Sequence, residues 1–248
     1  MRFRQLLLSF TSVLTPFLAS ANFEPGECFW ELDPTVFALL EKPSHNLLID
    51  QVSAVLANSW CSAEKARLLV DTVTLLQPQL CVEVGAGTGS TCLPVVFTLM
   101  ENGKGRLVAV DGWDNQLATR YMSDSDPNKA WWQTVSMKEI EAMFDQLMLR
   151  YGVTKRVEKL KMPSKEAAKK FVDIDFLHLD GDHTEQGALE DVLAWLPDVR
   201  QGGYILISNL NVQVDEVKTK QTALDELRKH CTETAVIEQG NAILLRKN

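Results

Sequence analysis

Three groups of residues in this 248-residue chain have the types and spacing to do chemistry. The first is VEVGAGTGST, residues 82–91, where Gly85, Gly87 and Gly89 stand between an apolar strand pattern and a helical one. Glycines there let the backbone turn sharply and let a ligand reach main-chain N–H groups with no Cβ in the way. The second is Asp111, which ends the next strand in VAVDGW. A carboxylate at that place can accept both hydroxyls of a ribose. The third is Asp180, Asp182 and His183 in LDGDH, where Gly181 permits a sharp turn that aims Asp182 and His183 into the cleft beyond the sheet. An imidazole with a near-neutral pKa suits proton removal.

The loop points to a nucleotide-like ligand and narrows its kind. No G-K-[ST] follows the glycines, so a phosphate-cradling P-loop is excluded. A dinucleotide fingerprint needs glycine or alanine where Ser90 stands. Here an acid, Glu83, precedes the loop, and Asp111 follows it one strand later.

The elements that must hold these residues are short apolar strands alternating with helices. LCVEV (80–84), RLVAV (106–110), RVEKL (156–160), IDFLHL (174–179) and YILIS (204–208) read as strands. TETAVIEQ and AILLRK, separated by Gly240-Asn241, read as a terminal hairpin. Ile140, Met143, Phe144 and Leu147 form one helical face closed by Gly152; a second helix runs from Thr184 to Leu196, stopped by Pro197. Before residue 78 the pattern is helical: a short helix from Asp33-Pro34 to about Pro43, one carrying Leu47, Leu48, Val52, Val55 and Leu56, and one capped by Ser62. The expected fold is α/β, a doubly wound, mostly parallel sheet with helices on both faces.

Composition fits that reading. The chain is 46% apolar with a formal charge of −8, an ordinary globular balance that argues against nucleic acid or an anionic membrane as partner. Residues 1–21 differ: Arg2 and Arg4, an apolar run, then Ala19-Ser20-Ala21, the order of an export signal. An apolar first helix in a cytoplasmic protein is the competing reading. Once such a signal is removed, no run long enough to span a membrane is left. The five cysteines show no C-x-x-C or zinc spacing; Cys81 and Cys92 read as small buried residues.

EVGAGTG, Asp111, PSKEAAKKF and the stretch DIDFLHLDGDH through QGGYILIS together resemble class I S-adenosylmethionine-dependent methyltransferases, in their methyltransferase-24, O-methyltransferase-like subgroup. The resemblance covers roughly residues 65–248, leaving 22–64 as a helical N-terminal cap. It implies a seven-stranded sheet with the last strand antiparallel, and S-adenosylmethionine as cofactor. The implied cofactor residues are Glu83, Gly85, Ala86, Gly87, Gly89, Ser90, Asp111, Gly112, Trp113 and Asp180, with Met162 and Ser164 beside the adenine.

The catalytic half departs from the family pattern. In related metal-dependent enzymes the residue matching Asp180 binds a divalent metal with an acidic pair after the fifth strand, where this chain has Ser208-Asn209. Asp180 and Asn209 alone make a poor site, so a divalent metal is doubtful. The alternative is that His183, or Asp182 acting through it, takes the proton; the bland reading is that these residues only end the strand and cap the helix.

Other candidates weigh less. Trp113, Tyr121, Trp131 and Trp132 flank a polar stretch, 114–130, and either floor an acceptor pocket or anchor a helix. His45 and His230 read as surface or helix-end residues, His178 as a satisfied core residue, and the lysines at 169–170 and 218–220 as solvated helix faces. The expected function is methyl transfer from S-adenosylmethionine to oxygen of a small-molecule acceptor, a protein acceptor being second. A nucleoside-binding protein that lost its chemistry is the runner-up, which Ser208 favours. A nicotinamide-dependent dehydrogenase is disfavoured by Ser90. The acceptor's identity and the oligomeric state are not legible.

Overall fold

The computed structural model describes residues 43–56 and 59–248. The candidate export signal, Cys28 and the helix expected from Asp33 lie outside the described residues. Pro43–Leu56 forms α1 and Ala63–Leu76 forms α2, whose N-terminus is capped by Ser62 accepting from Lys65 N at 3.0 Å.

Seven strands build one sheet: β1 (Leu80–Val84), β2 (Arg106–Asp111), β3 (Val157–Lys161), β4 (Ile174–Leu179), β5 (Val199–Ile207), β8 (Cys231–Ile237) and β9 (Ala242–Lys247). Their order is β3-β2-β1-β4-β5-β9-β8. The first five run parallel, and β9 is antiparallel to both β5 and β8. The expected seven-stranded sheet with an antiparallel last strand is the observed one. Because β1 and β4 lie side by side with their chains wound to opposite sides, the glycine loop and the LDGDH turn meet at one crevice.

Strand alternation divides the core. Cys81, Phe176 and Leu206 face α1, α2, α3 (Cys92–Glu101) and α6 (Met137–Arg150), while Val82, Leu177 and Ile205 face α7 (Ser164–Ala168), α8 (Glu185–Trp195) and α9 (Gln221–Arg228). Leu48, Val52 and Leu56 of α1 belong to the first of these cores. Cys81 and Cys92 are fully buried free thiols, as expected. Among the described residues no helix is long and apolar enough to cross a membrane.

Several expectations need correction. Met143 is 54% exposed; the buried stripe of α6 is Ile140, Phe144 and Met148, spaced at four residues. The stretch 114–130 contains α4 (Asn115–Thr119) and leads into α5 (Lys129–Thr134). β5 begins at Val199, five residues before the pattern suggested, because Gly202 and Gly203 interrupt its apolar run. A small hairpin went unpredicted: β6 (Gln213–Val214) and β7 (Val217–Lys218), joined by Asp215 and Glu216 at φ 52° and 66°. Of the two places expected for His45, helix end holds and surface does not: it lies in the first turn of α1, buried and bonded to Asp71 at 2.7 Å.

Candidate functional site

A cavity of about 630 Å³ opens at the carboxyl ends of β1, β2, β3 and β4. Its β1 side is made of main chain. Gly85 N and Ala86 N both donate to Val110 O, which folds the loop back against β2. Gly85 sits at φ 86°, and a Cβ there would lie 2.5 Å from Asp180 O and Gly181 Cα, so only glycine lets the loop and the β4 turn touch. Asp111 receives Gly87 N on one oxygen at 2.9 Å and Trp113 N on the other at 2.7 Å. Burial raises its pKa against the opposing pull of these two N–H groups. Trp113 closes the arrangement through Nε1, which donates to Gly87 O at 2.9 Å.

Of the residues expected at a cofactor, Gly85, Ala86, Gly87, Ser90, Asp111 and Gly112 line the cavity. So do Trp113, Met162, Ser164 and Asp180. Glu83 and Gly89 do not. Glu83 is buried below the loop with Thr91 Oγ1 donating to Oε1, and Gly89 packs on Phe144 and Met148.

The β4–β5 side is made of side chains. Asp180, Asp182, His183 and Asn209 all line the cavity. Asn209 stands in the left-handed region at φ 63°, and its Nδ2 donates to Asp180 Oδ1 and lies 3.1 Å from His183 Nε2. An amide donor makes that imidazole nitrogen an acceptor. Burial lowers the His183 pKa to about 4, so the ring is neutral at pH 7. Asp180 is 14% exposed at its side chain. Burial would raise its pKa, but His178, Lys65, Lys220 and His183 outweigh that and hold the carboxyl below its ordinary value.

Asp182 serves the turn. Its Oδ1 receives Thr184 N at 2.9 Å and Thr184 Oγ1 at 2.7 Å, its Oδ2 lies 3.8 Å from Arg120 Nε, and its carboxyl rests on Gly187. Thr184, not His183, caps α8, by accepting from Gly187 N at 3.1 Å.

Beneath Asp180 the expectation of a satisfied His178 fails in part. Nε2 pairs with Ser208 Oγ at 2.9 Å, but Nδ1 has no hydrogen bond and faces Glu83 Oε1 at 3.7 Å, and Glu83 Oε2 is equally unpartnered. Lys220 also departs from expectation: it is 2% exposed, not a solvated lysine. Burial lowers its pKa, against the charges of Asp180, Asp191 and Asp182.

Sequence reasoning missed Asp191, Arg120 and Trp60, which all line the cavity. Asp191 is 6% exposed and burial raises its pKa to about 6. Its signal was legible: an acid on the apolar stripe Ala188, Val192 and Trp195 of α8. Trp60 is 56% exposed and meets Trp131 edge to face at 6.3 Å; Trp131 in turn meets Trp132 at 4.7 Å. Trp131 is 46% exposed and lines the cavity, whereas Trp132 lines it and also packs on the core.

The donors do not fit a divalent metal. Asn209 presents N–H to Asp180, Ser208 turns away to His178, and no group of three His, Cys, Asp or Glu able to hold an ion occurs among the described residues.

A methyltransferase-domain family model matches residues 82–210, which spans both the glycine loop and the Asp180–His183 turn. No curated protein matches the chain. Among solved structures, an O-methyltransferase of tomaymycin synthesis from Streptomyces achromogenes, in complex with S-adenosylmethionine, is 14% identical with a TM-score of 0.56. The match covers 81% of this chain and 90% of that one. An O-methyltransferase from Bacillus cereus, in complex with S-adenosylhomocysteine, is 14% identical with a TM-score of 0.53, covering 87% and 98%. A Podospora anserina methyltransferase bound to S-adenosylhomocysteine is likewise 14% identical, at a TM-score of 0.53 and coverage of 81% and 88%. These likenesses show the fold. With more than half of its residues matched by the family model, the chain belongs to the methyltransferase-domain family, as a class I S-adenosylmethionine-dependent methyltransferase.

Proposed function

We propose that the chain transfers the methyl group of S-adenosylmethionine to a hydroxyl of a small-molecule acceptor, with Asp180 as proton acceptor. The observation that carries this is the shared cavity, in which the glycine loop and Asp111 stand opposite Asp180, His183 and Asn209. Asp111 already has each oxygen fixed by one backbone N–H and keeps further lone pairs for ribose hydroxyls. Bound S-adenosylmethionine supplies an electrophilic methyl carbon on a sulfonium. What remains for the chain is to align the acceptor oxygen and take its proton.

Asp180 fits the second task better than the histidine that the sequence favoured. His183 Nε2 is engaged by Asn209, and the ring is a weak base. Asp180 Oδ1 is held by Asn209, while Oδ2 has no hydrogen bond among the described residues and lies 3.8 Å from His178 Nε2. A carboxylate of lowered pKa still suffices, since a hydroxyl becomes strongly acidic as its bond to the methyl carbon forms. Asn209 and neutral His183 then orient Asp180, and Asp182 holds the turn. The half-exposed tryptophans at the mouth favour an acceptor with an apolar or planar face.

Calorimetry with S-adenosylhomocysteine and a transfer assay across phenolic and sugar hydroxyls test this reading. Asp180→Asn is expected to keep homocysteine-form affinity within about threefold while turnover falls at least about 100-fold. Full turnover in that variant would remove Asp180 from the chemistry.

A further inference from the structure

Beside the glycine loop the cavity has an aromatic corner. Trp60, from the connection between α1 and α2, leans over the loop: its Cζ3 and Cε3 lie 3.3 and 3.6 Å from where a Cβ on Gly87 would stand. It meets Trp131 of α5 edge to face, with the ring planes 71° apart and the centroids 6.3 Å apart. Both indoles line the cavity, and both stay about half exposed, at 56% and 46%. Two uncovered rings set nearly at right angles offer one guest a π face and a neighbouring wall. Tryptophan is also the best aromatic partner of a cation.

The sign of the guest's charge follows from the rest of the lining. Five acids line the cavity, Asp111, Asp114, Asp180, Asp182 and Asp191, against one guanidinium, that of Arg120. That guanidinium is already shared. Its Nε lies 3.8 Å from Asp182 Oδ2, its Nη2 3.6 Å from Glu190 Oε2, and its carbon 4.4 Å over the Tyr121 ring. No lysine lines the cavity and His183 is neutral, so among the described residues no cation there is left to receive an anionic guest. In S-adenosylmethionine the sulfonium and ammonium exceed the carboxylate by a single charge, which leaves the lining acidic. A carboxylate or phosphate on the acceptor would enter such a field at a cost, whereas an ammonium gains from it.

We propose that the acceptor is an amine-bearing aromatic alcohol, whose ammonium group is seated between Trp60 and Trp131 while its hydroxyl takes the methyl group. This acceptor class rests on the reading of the cavity as a methyl-transfer site. The acceptor oxygen gains the methyl carbon as the sulfonium sulfur loses it, and the hydroxyl proton passes to Asp180. The ammonium goes through the reaction unchanged. Held protonated against the indoles, its nitrogen has no lone pair with which to compete for the methyl group, so the same seat that selects the acceptor also directs transfer to oxygen.

The test titrates three phenols of one skeleton into the full chain saturated with S-adenosylhomocysteine and follows binding by calorimetry. They are tyramine, its neutral counterpart para-ethylphenol and its anionic counterpart para-hydroxyphenylpropionate. Tyramine is expected to bind at least about fivefold more tightly than the neutral phenol, and the anion more weakly than either. Added salt should narrow the spread. Trp60→Leu and Trp131→Leu should each bring the preference for tyramine to within about twofold, whereas Trp60→Phe, which keeps a π face, should retain most of it. Thermal unfolding and S-adenosylhomocysteine affinity control for folding. Equal affinity for tyramine and the neutral phenol would overturn the proposal, as would a preference that survives in both leucine variants. So would tighter binding of the anion, or no binding of tyramine at millimolar concentration. Binding needs no turnover, so a chain that selects tyramine but methylates no hydroxyl strikes the functional reading alone. A chain that methylates neutral phenols and shows no preference for the ammonium strikes the acceptor class alone.

Discussion

Under the glycine loop the cavity is walled by backbone: Gly85 and Ala86 are tied to Val110, and Gly87 and Trp113 are tied to Asp111. Across the crevice the wall is side chains gathered from the turns after β4 and β5 and from α8, held by Asn209, Arg120 and buried charge. The difference teaches how each half can change. A wall of main chain admits few residues at each position, because an added Cβ meets another backbone. A wall of side chains can be rewritten position by position as long as its charges remain balanced. The resemblance read from the sequence follows the same division, close in the first half and departing at Ser208 in the second.

The largest expected effect breaks both halves at once. Gly85→Val places side-chain atoms where Asp180 O and Gly181 Cα stand, at a φ that disfavours any Cβ. It should destabilise the fold by more than about 3 kcal/mol and abolish binding of S-adenosylhomocysteine, read by chemical denaturation and calorimetry. A variant of parental stability would show that the two walls do not depend on their contact at Gly85.

Asp111→Ala probes the backbone wall alone. Loss of the acceptor for two ribose hydroxyls, and of the anchor for Gly87 N, is expected to cost about 2–4 kcal/mol of cofactor affinity. Parental affinity for S-adenosylhomocysteine in this variant would mean that the ribose lies elsewhere.

The side-chain wall carries two opposed titrations. Asp191, raised to about 6 by burial, contributes stability that is present below its unfolded pKa and lost as pH rises through 6. His183, lowered to about 4 by burial, contributes stability that is present above its unfolded pKa and lost as pH falls through 4. Between pH 4 and 6 these slopes nearly cancel in the parent. Asp191→Asn should therefore lose stability on acidification by about 2–3 kcal/mol relative to the parent, and His183→Gln should gain by a similar amount. Urea unfolding at several pH values reads both. Parallel profiles for all three proteins would contradict the burial of these groups.

The smallest effect belongs to the mouth. Trp60→Ala removes one edge-to-face contact of a half-exposed ring and should cost less than about 1.5 kcal/mol of stability. Its effect on turnover should fall on acceptor KM and leave cofactor affinity alone.

The same contrast explains what could be read in advance. All seven strands of the sheet, apart from the first five residues of β5, and the cap at Ser62 follow from local alternation and short-range hydrogen bonds, and these are written within a few residues of sequence. The glycine loop is legible for the same reason. Lys220 is not, because KTK has the composition of a solvated run, and its burial is decided by a hairpin of four paired residues and by acids some thirty to forty positions away. His178 and Ser208 are equally non-local: each belongs to a different strand, and their bond exists only once β4 and β5 pair. Asp191 lay within reach, as an acid on an apolar stripe, but what makes it interesting is the cavity it meets, and a helix pattern does not contain that.

The placement of β9 has a dynamic consequence. Among the described residues β8 is bonded to the sheet through β9 alone, so the pair β8–β9 forms one cooperative unit that can detach from β5 while β1 to β5 stay paired. Asn241, the residue just before β9, accepts Leu210 N through its carbonyl at 2.9 Å and Asn211 N through its side chain at 3.1 Å. Detachment of that unit therefore unties the segment that follows Asn209. The amides of Leu210 and Asn211, though outside regular structure, should exchange with solvent deuterium at the pace of β9 and not at the pace of a loop. The order of the segment behind Asn209 is in this way tied to the opening free energy of a hairpin none of whose residues lines the cavity.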